Sequence, residues 1–261
     1  MSSAVLLEER VGAVAVLRMN RPASMNALDA ELVSALGAGI VRASADANVR
    51  AIVLTGEGGA FCSGADLKEA LGQLARGIAL ESLLEAFQAS IRAIASAPQP
   101  VIAAVDGAAV GFGADLALAC DLRVCSDRAY LQAKFVGIGL MPDGGGTFHL
   151  PRLVGPGRAL ELLLLGEKVE APRAFELGLA NRVVAVERLV PEALELAQRL
   201  AEGPPLALTS IKHAVRAALS GTLEEALKRE AEGQARLLRS EDLSEGVMAW
   251  QERRKPRFRG A

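Results

Sequence analysis

At 261 residues with a formal net charge of −2, the chain is long enough to bury one large core and carries no global field that would recruit nucleic acid or an anionic membrane. Hydrophobic residues make up 51% and charged residues 23%, while aromatics at 3% leave the core to Ala, Val, Leu and Ile. Three cysteines (Cys62, Cys120, Cys125) lack metal-ligand spacing, and with His149 and His213 the only histidines, no metal site is expected. The start MSSAVLLEERVGAVAVL has acids inside its apolar run, so no signal peptide is expected. No uncharged apolar run of about 20 residues suggests a membrane span. The expected setting is cytoplasmic.

In chain order, Val11–Leu17 reads as a strand and Ala30–Ala45 as a helix, from its apolar spacing. Arg50–Leu54 is a short buried strand running into the glycine loop Gly56–Gly59. Ala79–Ala95 is helical and Val101–Val105 is a strand. Gly107–Gly113 is a small-residue loop, Ala114–Cys120 a helix turn and Leu122–Cys125 a strand. Gly157–Leu165 is helical and Asn181–Val186 is a strand. Short apolar strands alternating with helices predict an α/β fold with a largely parallel sheet. From Leu189 to Trp250 the periodicity is helical, broken at Gly203–Pro205 and Ser220–Gly221, with charges at helical spacing such as Glu224 and Lys228. Two regions follow: a core over 1–190 and a C-terminal helical region over 191–261.

Two loops attract chemistry. In GEGGAFCSGADL, Gly59 and Gly64 have P-loop spacing, but Ala65-Asp66 stands where Lys-Ser/Thr is required, so a phosphate cradle is excluded. What remains is a strand, a glycine loop and a helix-starting Asp66, where backbone N–H groups can bind a negative oxygen; an ordinary strand-to-helix turn has the same pattern. In VDGAAVGFGADLALACD another buried strand ends in small residues before a helix. Two strand ends of one parallel sheet, each donating an N–H, have the geometry of an oxyanion hole. Asp115 in the first helical turn is either a favourable acid at a helix N-terminus or a catalytic group. Cys62 has no nearby His to activate it. His149 reads as structural, and Asp121 with Arg123 as a structural pair at a strand entry.

The strings AFCSGADL, PVIAAVDGAAVGFGADLALACDLRV, FVGIGLMPDGGGTFHLPRLVG and EGVMAWQERRKPRF, in that order over nearly the whole chain, resemble the crotonase (enoyl-CoA hydratase/isomerase) superfamily. The resemblance implies a spiral of ββα turns with a C-terminal helical part that builds homotrimers, often paired into hexamers. It implies an acyl-CoA thioester substrate, with coenzyme A carried as part of the substrate and no separate cofactor. The thioester oxygen would lie between the N–H groups of Ala65 and Phe112, the latter standing where the family commonly has glycine. Coenzyme A contacts would fall at Arg21, Ser24, Ala27, Leu67 and Lys68. Trp250 and Arg253 would lie on a terminal helix covering the coenzyme A of a neighbouring subunit.

Hydratases of this family use two glutamates, which map to Asp115 and Phe135; the second position holds no acid. Isomerases carry their base later, where this chain has Pro142-Asp143-Gly144, and IGLMPDGGGT resembles the phenylacetate-pathway isomerases. A 1,3 proton shift needs one base, and Asp143 is the candidate, with Asp115 as rival or helper. Burial among Phe135, Leu140, Met141 and Phe148 is expected to raise the pKa of Asp143. A turn aspartate leading a glycine run would look the same. Alternatives are a hydratase, an aromatic thioester dehalogenase and, in a different class, a non-catalytic CoA- or RNA-binding scaffold. Only the basic tail Glu252–Gly260 supports the last, and the near-neutral charge argues against nucleic acid.

Overall fold

The computed structural model describes residues 4–77 and 80–261. In chain order the elements are β1 (Leu6–Val11), β2 (Val14–Met19), α1 (Ala30–Ala45), β3 (Ala51–Gly56), α2 (Leu67–Ala75), α3 (Glu81–Ser96), β4 (Val101–Val105), β5 (Ala108–Val110), α4 (Phe112–Ala119), β6 (Leu122–Ser126), β7 (Tyr130–Gln132), α5 (Gly146–Val154), α6 (Pro156–Leu165), β8 (Lys168–Glu170), α7 (Ala171–Glu176), β9 (Arg182–Val184), α8 (Leu189–Ala201), α9 (Pro205–Ala218), α10 (Leu223–Leu237) and α11 (Glu241–Gln251).

The expected strand Val11–Leu17 is a hairpin: β1 and β2 pair antiparallel around Gly12, whose φ of +61° suits glycine. The expected loop Gly107–Gly113 contains β5. The helix expected from Ala79 begins at Glu81, and Ala79 itself lies outside the described residues.

Six strands form one sheet in the order β1-β2-β3-β4-β6-β9, parallel except at the β1/β2 hairpin. A second sheet runs β5-β7-β8. Successive turns of the chain place one strand in each sheet, β4 then β5 and β6 then β7, with a helix between turns. This is the ββα spiral that the resemblance implies.

The inner strands β3 and β4 of the large sheet are nearly continuous apolar runs because both faces are covered. Along β4, Val101, Ala103 and Val105 face one core with α1, α3 and α4, while Ile102 and Ala104 face another. That second core is closed by α8, through Leu189, Ala193, Ala197 and Ala201 spaced one turn apart. The boundary expected at 190 therefore falls at the start of a helix that belongs to the sheet. Helix α1 is opened by Asp29, whose carboxylate accepts from Leu32 N–H at 2.8 Å, and buries Leu32, Val33, Leu36 and Ile40. In α10 the opening is a capping box between Thr222 and Glu225.

Ala197 is wholly buried against the sheet. Ala197→Leu is expected to lower stability by about 1–3 kcal/mol through overpacking, read as a lower urea midpoint at unchanged slope.

Candidate active site

The first loop is held on one side and open on the other. After β3 the chain lies along β5: Cys62 N–H donates to Ala108 O and Val110 N–H to Cys62 O, both at 2.9 Å. It then pairs with Leu28, whose N–H donates to Gly64 O at 2.8 Å and whose carbonyl accepts from Asp66 N–H at 2.9 Å. In extended chain, alternate residues present their N–H and C=O to opposite sides. Gly64 O and Asp66 N–H are therefore spent on Leu28, and Ala65 N–H points the other way, without a protein acceptor among the described residues.

The second donor follows from helix geometry. Phe112 is the first residue of α4, and first-turn N–H groups have no acceptor within their helix. Gly111 N–H goes to Gln132 O and Gly111 O receives Ala114 and Asp115 N–H, while Phe112 N–H has no acceptor among the described residues. Its side chain is not in the site but in the core, stacked on Phe87 with ring centroids 4.6 Å apart.

Glycines bring the two loops together. A Cβ on Gly64 (φ +95°) would lie 2.8 Å from Val110 O and 3.5 Å from Phe112 N, and one on Gly113 would lie 2.2 Å from Cys62 O. The backbones touch where side chains would hold them apart.

Asp115, one turn into α4, is fully buried. Its Oδ2 accepts from Gly144 N–H at 2.9 Å, and its Oδ1 has no partner. Burial first, and then the charge of Asp143, push its pKa up to about 7, against the lowering effect of the Gly144 and Gly146 backbone N–H groups. The glycine run explains itself here. A Cβ on Gly144 would fall 2.7 Å from Asp115 Cβ and from the Phe112 ring, and one on Gly146 would fall 2.4 Å from Asp115 Oδ1.

Asp143, on the same turn, is half-buried with an unpartnered, solvent-shielded Oδ1, and desolvation raises its pKa. The expected cause needs correction. Phe135 is buried, but Leu140, Met141 and Phe148 are exposed, so the desolvation comes from the packing of the turn on α4. Phe135 lies against the second loop, its ring 4.0 Å from where a Gly111 Cβ would stand.

The other candidates separate. Arg21 is committed to Asp29 and Asp66 at 3.0 and 3.1 Å and to the Ala27 carbonyl, inside a loop pinned by buried Asn26. Ser24 Oγ donates to Arg21 O at 3.1 Å, and Leu67 and Lys68 are exposed at the start of α2, which Asp66 caps. Trp250 is 79% exposed, and it borders an apolar hollow of about 420 Å³ with Leu206, Leu237, Leu243 and Phe258. Neither it nor Arg253 makes a hydrogen bond or ion pair to the Asp143 turn among the described residues. In the basic tail, Arg254 is bound bidentately by Glu245.

Asp121 and Arg123 do not pair. Asp121 binds Lys212 and Arg216 of α9 at 2.8 Å each, while Arg123 donates to the carbonyls of Leu179 and Cys120. Cys62 is a buried thiol pushed up to about 12, and burial holds His149 neutral, down to about 4. No metal-binding cluster and no helix long and apolar enough to cross a membrane occur among the described residues. The structure adds Gly144, Gly64 and Gly113 as backbone that lets these segments approach; their sequence signal was the glycine spacing alone.

The sequence model for "Enoyl-CoA hydratase/isomerase" matches residues 9–261. A probable enoyl-CoA hydratase of Rhodobacter capsulatus is 44% identical over 95% of both chains. A 1,2-epoxyphenylacetyl-CoA isomerase of Escherichia coli is 37% identical over 95% of both. Among solved structures, an enoyl-CoA hydratase from Bacillus anthracis superposes with a TM-score of 0.94 at 33% identity, covering 98% of this chain and 100% of that one.

Gly113→Ala is expected to cost more than about 2 kcal/mol, because the contact it violates is backbone on backbone; thermal unfolding reads it. For Asp115 the sign is fixed by its raised pKa. Stability present below the unfolded value of 3.8 is lost as pH rises to about 7. Asp115→Asn, which does not ionise, should gain on the wild type over that window by on the order of 4 kcal/mol and hold the gain above it, seen in urea midpoints from pH 4 to 8.

Proposed function

The chain belongs to the enoyl-CoA hydratase/isomerase family, and from that premise we propose that it is an acyl-CoA isomerase that shifts a double bond into conjugation with the thioester. One observation carries the choice of isomerase. Phe135 is buried beside the second loop, at the position of the second hydratase acid, and Asp143 instead offers an unpartnered buried oxygen.

The thioester oxygen lies between Ala65 and Phe112 N–H. Asp143 removes a proton from C2 of a 3-enoyl thioester, the electron pair moves onto the oxygen as a dienolate, and the same carboxyl returns the proton at C4. Each N–H donor contributes on the order of 3 kcal/mol when tested by removal. A carboxyl with a raised pKa is the better proton carrier for such a step.

Coenzyme A is substrate rather than cofactor in this reading. Lys68, exposed and without an ion pair among the described residues, supplies a cation for phosphate, together with the backbone around Ser24 and Ala27, with Leu67, and with a neighbouring subunit's Trp250 and Arg253. Arg21 shapes that loop rather than reaching outward. Exposed Ile211 and Val215 on α9, Leu219 just after it, and Leu223 and Leu227 on α10 support a homotrimer or homohexamer, and the setting proposed is cytoplasmic. Isomerisation of a ring-epoxide phenylacetyl thioester is a variant favoured by the Escherichia coli relative. Hydration is the second reading, favoured by the names of most relatives and by the buried acid at 115.

Mixing the protein separately with a 3-enoyl-CoA and a 2-enoyl-CoA decides between them by thioester absorbance. Conjugation of the first with no loss of the second is expected; loss of the second would establish hydration. Asp143→Asn should lower conjugation by about 10²-fold or more while acyl-CoA binding survives. An active Asp143→Asn would overturn the assignment of the base.

A further inference from the structure

A carboxylate on α4 and a carboxylate on the turn packed against it have too few partners between them. Asp115 Oδ2 is bound by the N–H of Gly144, the residue directly after Asp143. Asp115 Oδ1 and Asp143 Oδ1 are both shut off from solvent with no hydrogen bond, and no cation pairs with either among the described residues. Two ionised carboxylates so placed repel each other and each suffers desolvation, so the favoured state of the pair holds one proton. Enclosure decides which carboxyl keeps it. Asp115 is fully buried, whereas Asp143 is half-buried.

We propose that Asp115 is the proton-holding partner of Asp143, a positioning residue that stays neutral so that the pocket's single negative charge sits on the base. This rests on Asp143 being that base. In the reaction, the C2 proton passes to Asp143 and its electron pair becomes the dienolate under the two N–H groups. The proton on Asp115 does not move, and the pocket carries one negative charge before and after. With Asp115 ionised, the dienolate would form beside a second anion, and proton abstraction would slow.

After burial itself, Asp143 is the charged group that acts on this proton. On α5, His149 is neutral above about pH 4 and Arg152 is exposed. On α3, Glu81, Glu85 and Arg92 are exposed. In the first loop, Cys62 is a thiol and Asp66 is bound to Arg21 and the α2 terminus; β5 carries no ionisable side chain. Beyond α4, Asp121 is held by Lys212 and Arg216. Burial and the repulsion from Asp143 place the Asp115 proton near pH 7.

The test compares pH profiles of 3-enoyl-CoA conjugation for wild type and Asp115→Asn, with carbon-13 NMR of aspartate carboxyls in both proteins and in Asp143→Asn. In wild type, kcat should fall about tenfold per pH unit above the Asp115 midpoint. In Asp115→Asn that fall should be absent, since the amide keeps an acceptor for Gly144 N–H and cannot ionise. By NMR one carboxyl should titrate near 7, vanish in Asp115→Asn and move down in Asp143→Asn. A fall that persists in Asp115→Asn, or loss of turnover there at every pH, overturns the proposal; the latter would make Asp115 a direct proton carrier. The NMR result is independent of turnover. A near-neutral carboxyl that survives Asp115→Asn refutes the inference even if the isomerase reading stands. A carboxyl assigned as expected in a protein that conjugates nothing would count against the isomerase reading alone.

Discussion

Two backbones touch in the middle of this protein, and the site depends on that contact. The carbonyl of Cys62 occupies the space that a Cβ on Gly113 would need, and the carbonyl of Val110 occupies the space beside Gly64. The hydrogen bonds that align the first loop with β5 and with Leu28 use up the donors and acceptors on either side of Ala65. What is left over, the N–H of Ala65 and the N–H at the start of α4, is fixed by the saturation of everything around it. No side chain has to be ordered to aim these donors, so their direction is set when the chain folds.

The carboxylate turn is built on the same principle but with a cost. Gly144, Gly145 and Gly146 let the turn press onto α4 until one N–H reaches Asp115 and solvent is excluded from an oxygen of each acid. Burying carboxyl groups with unpaired oxygens is unfavourable, and in a protein selected only for stability an asparagine or an apolar residue would serve better. Unsatisfied buried acids placed beside free N–H donors are the arrangement that proton-transfer chemistry needs. Phe135 shows the other side of the same site. An aromatic ring is packed there against the second loop, where a carboxylate would be desolvated.

Around the site the scaffold is an exercise in covering a sheet twice. The inner strands are apolar on both faces, so the helices of the spiral close one side and α8 closes the other with a stripe of one leucine and three alanines. Small side chains on that stripe let the helix approach the strands closely. The ion pairs of Asp121 with Lys212 and Arg216 then tie α9 to the entry of β6, and Asp121 also accepts from Val101 N–H, so one carboxylate joins two strands and a C-terminal helix.

From the sequence alone came the elements with strong periodicity, the order of the motifs, the α/β class and the two loops, because apolar spacing and glycine placement are local properties of the chain. Helix α1 and strand β4 are read from their own residues. Asp143 and Asp115 were legible as acids in suggestive places, but the hydrogen bond from Gly144 that joins them links residues 29 positions apart. Packing decided the rest. Gly12 turned an apparent single strand into a hairpin, and α8 left its apparent appendage to cover the sheet. Asp121 chose α9 over Arg123, and the apolar residues after Phe135 stayed exposed. The reason is the same throughout. Burial, desolvation and the exhaustion of hydrogen-bond partners are properties of which distant segments meet, and only the tertiary structure brings them together.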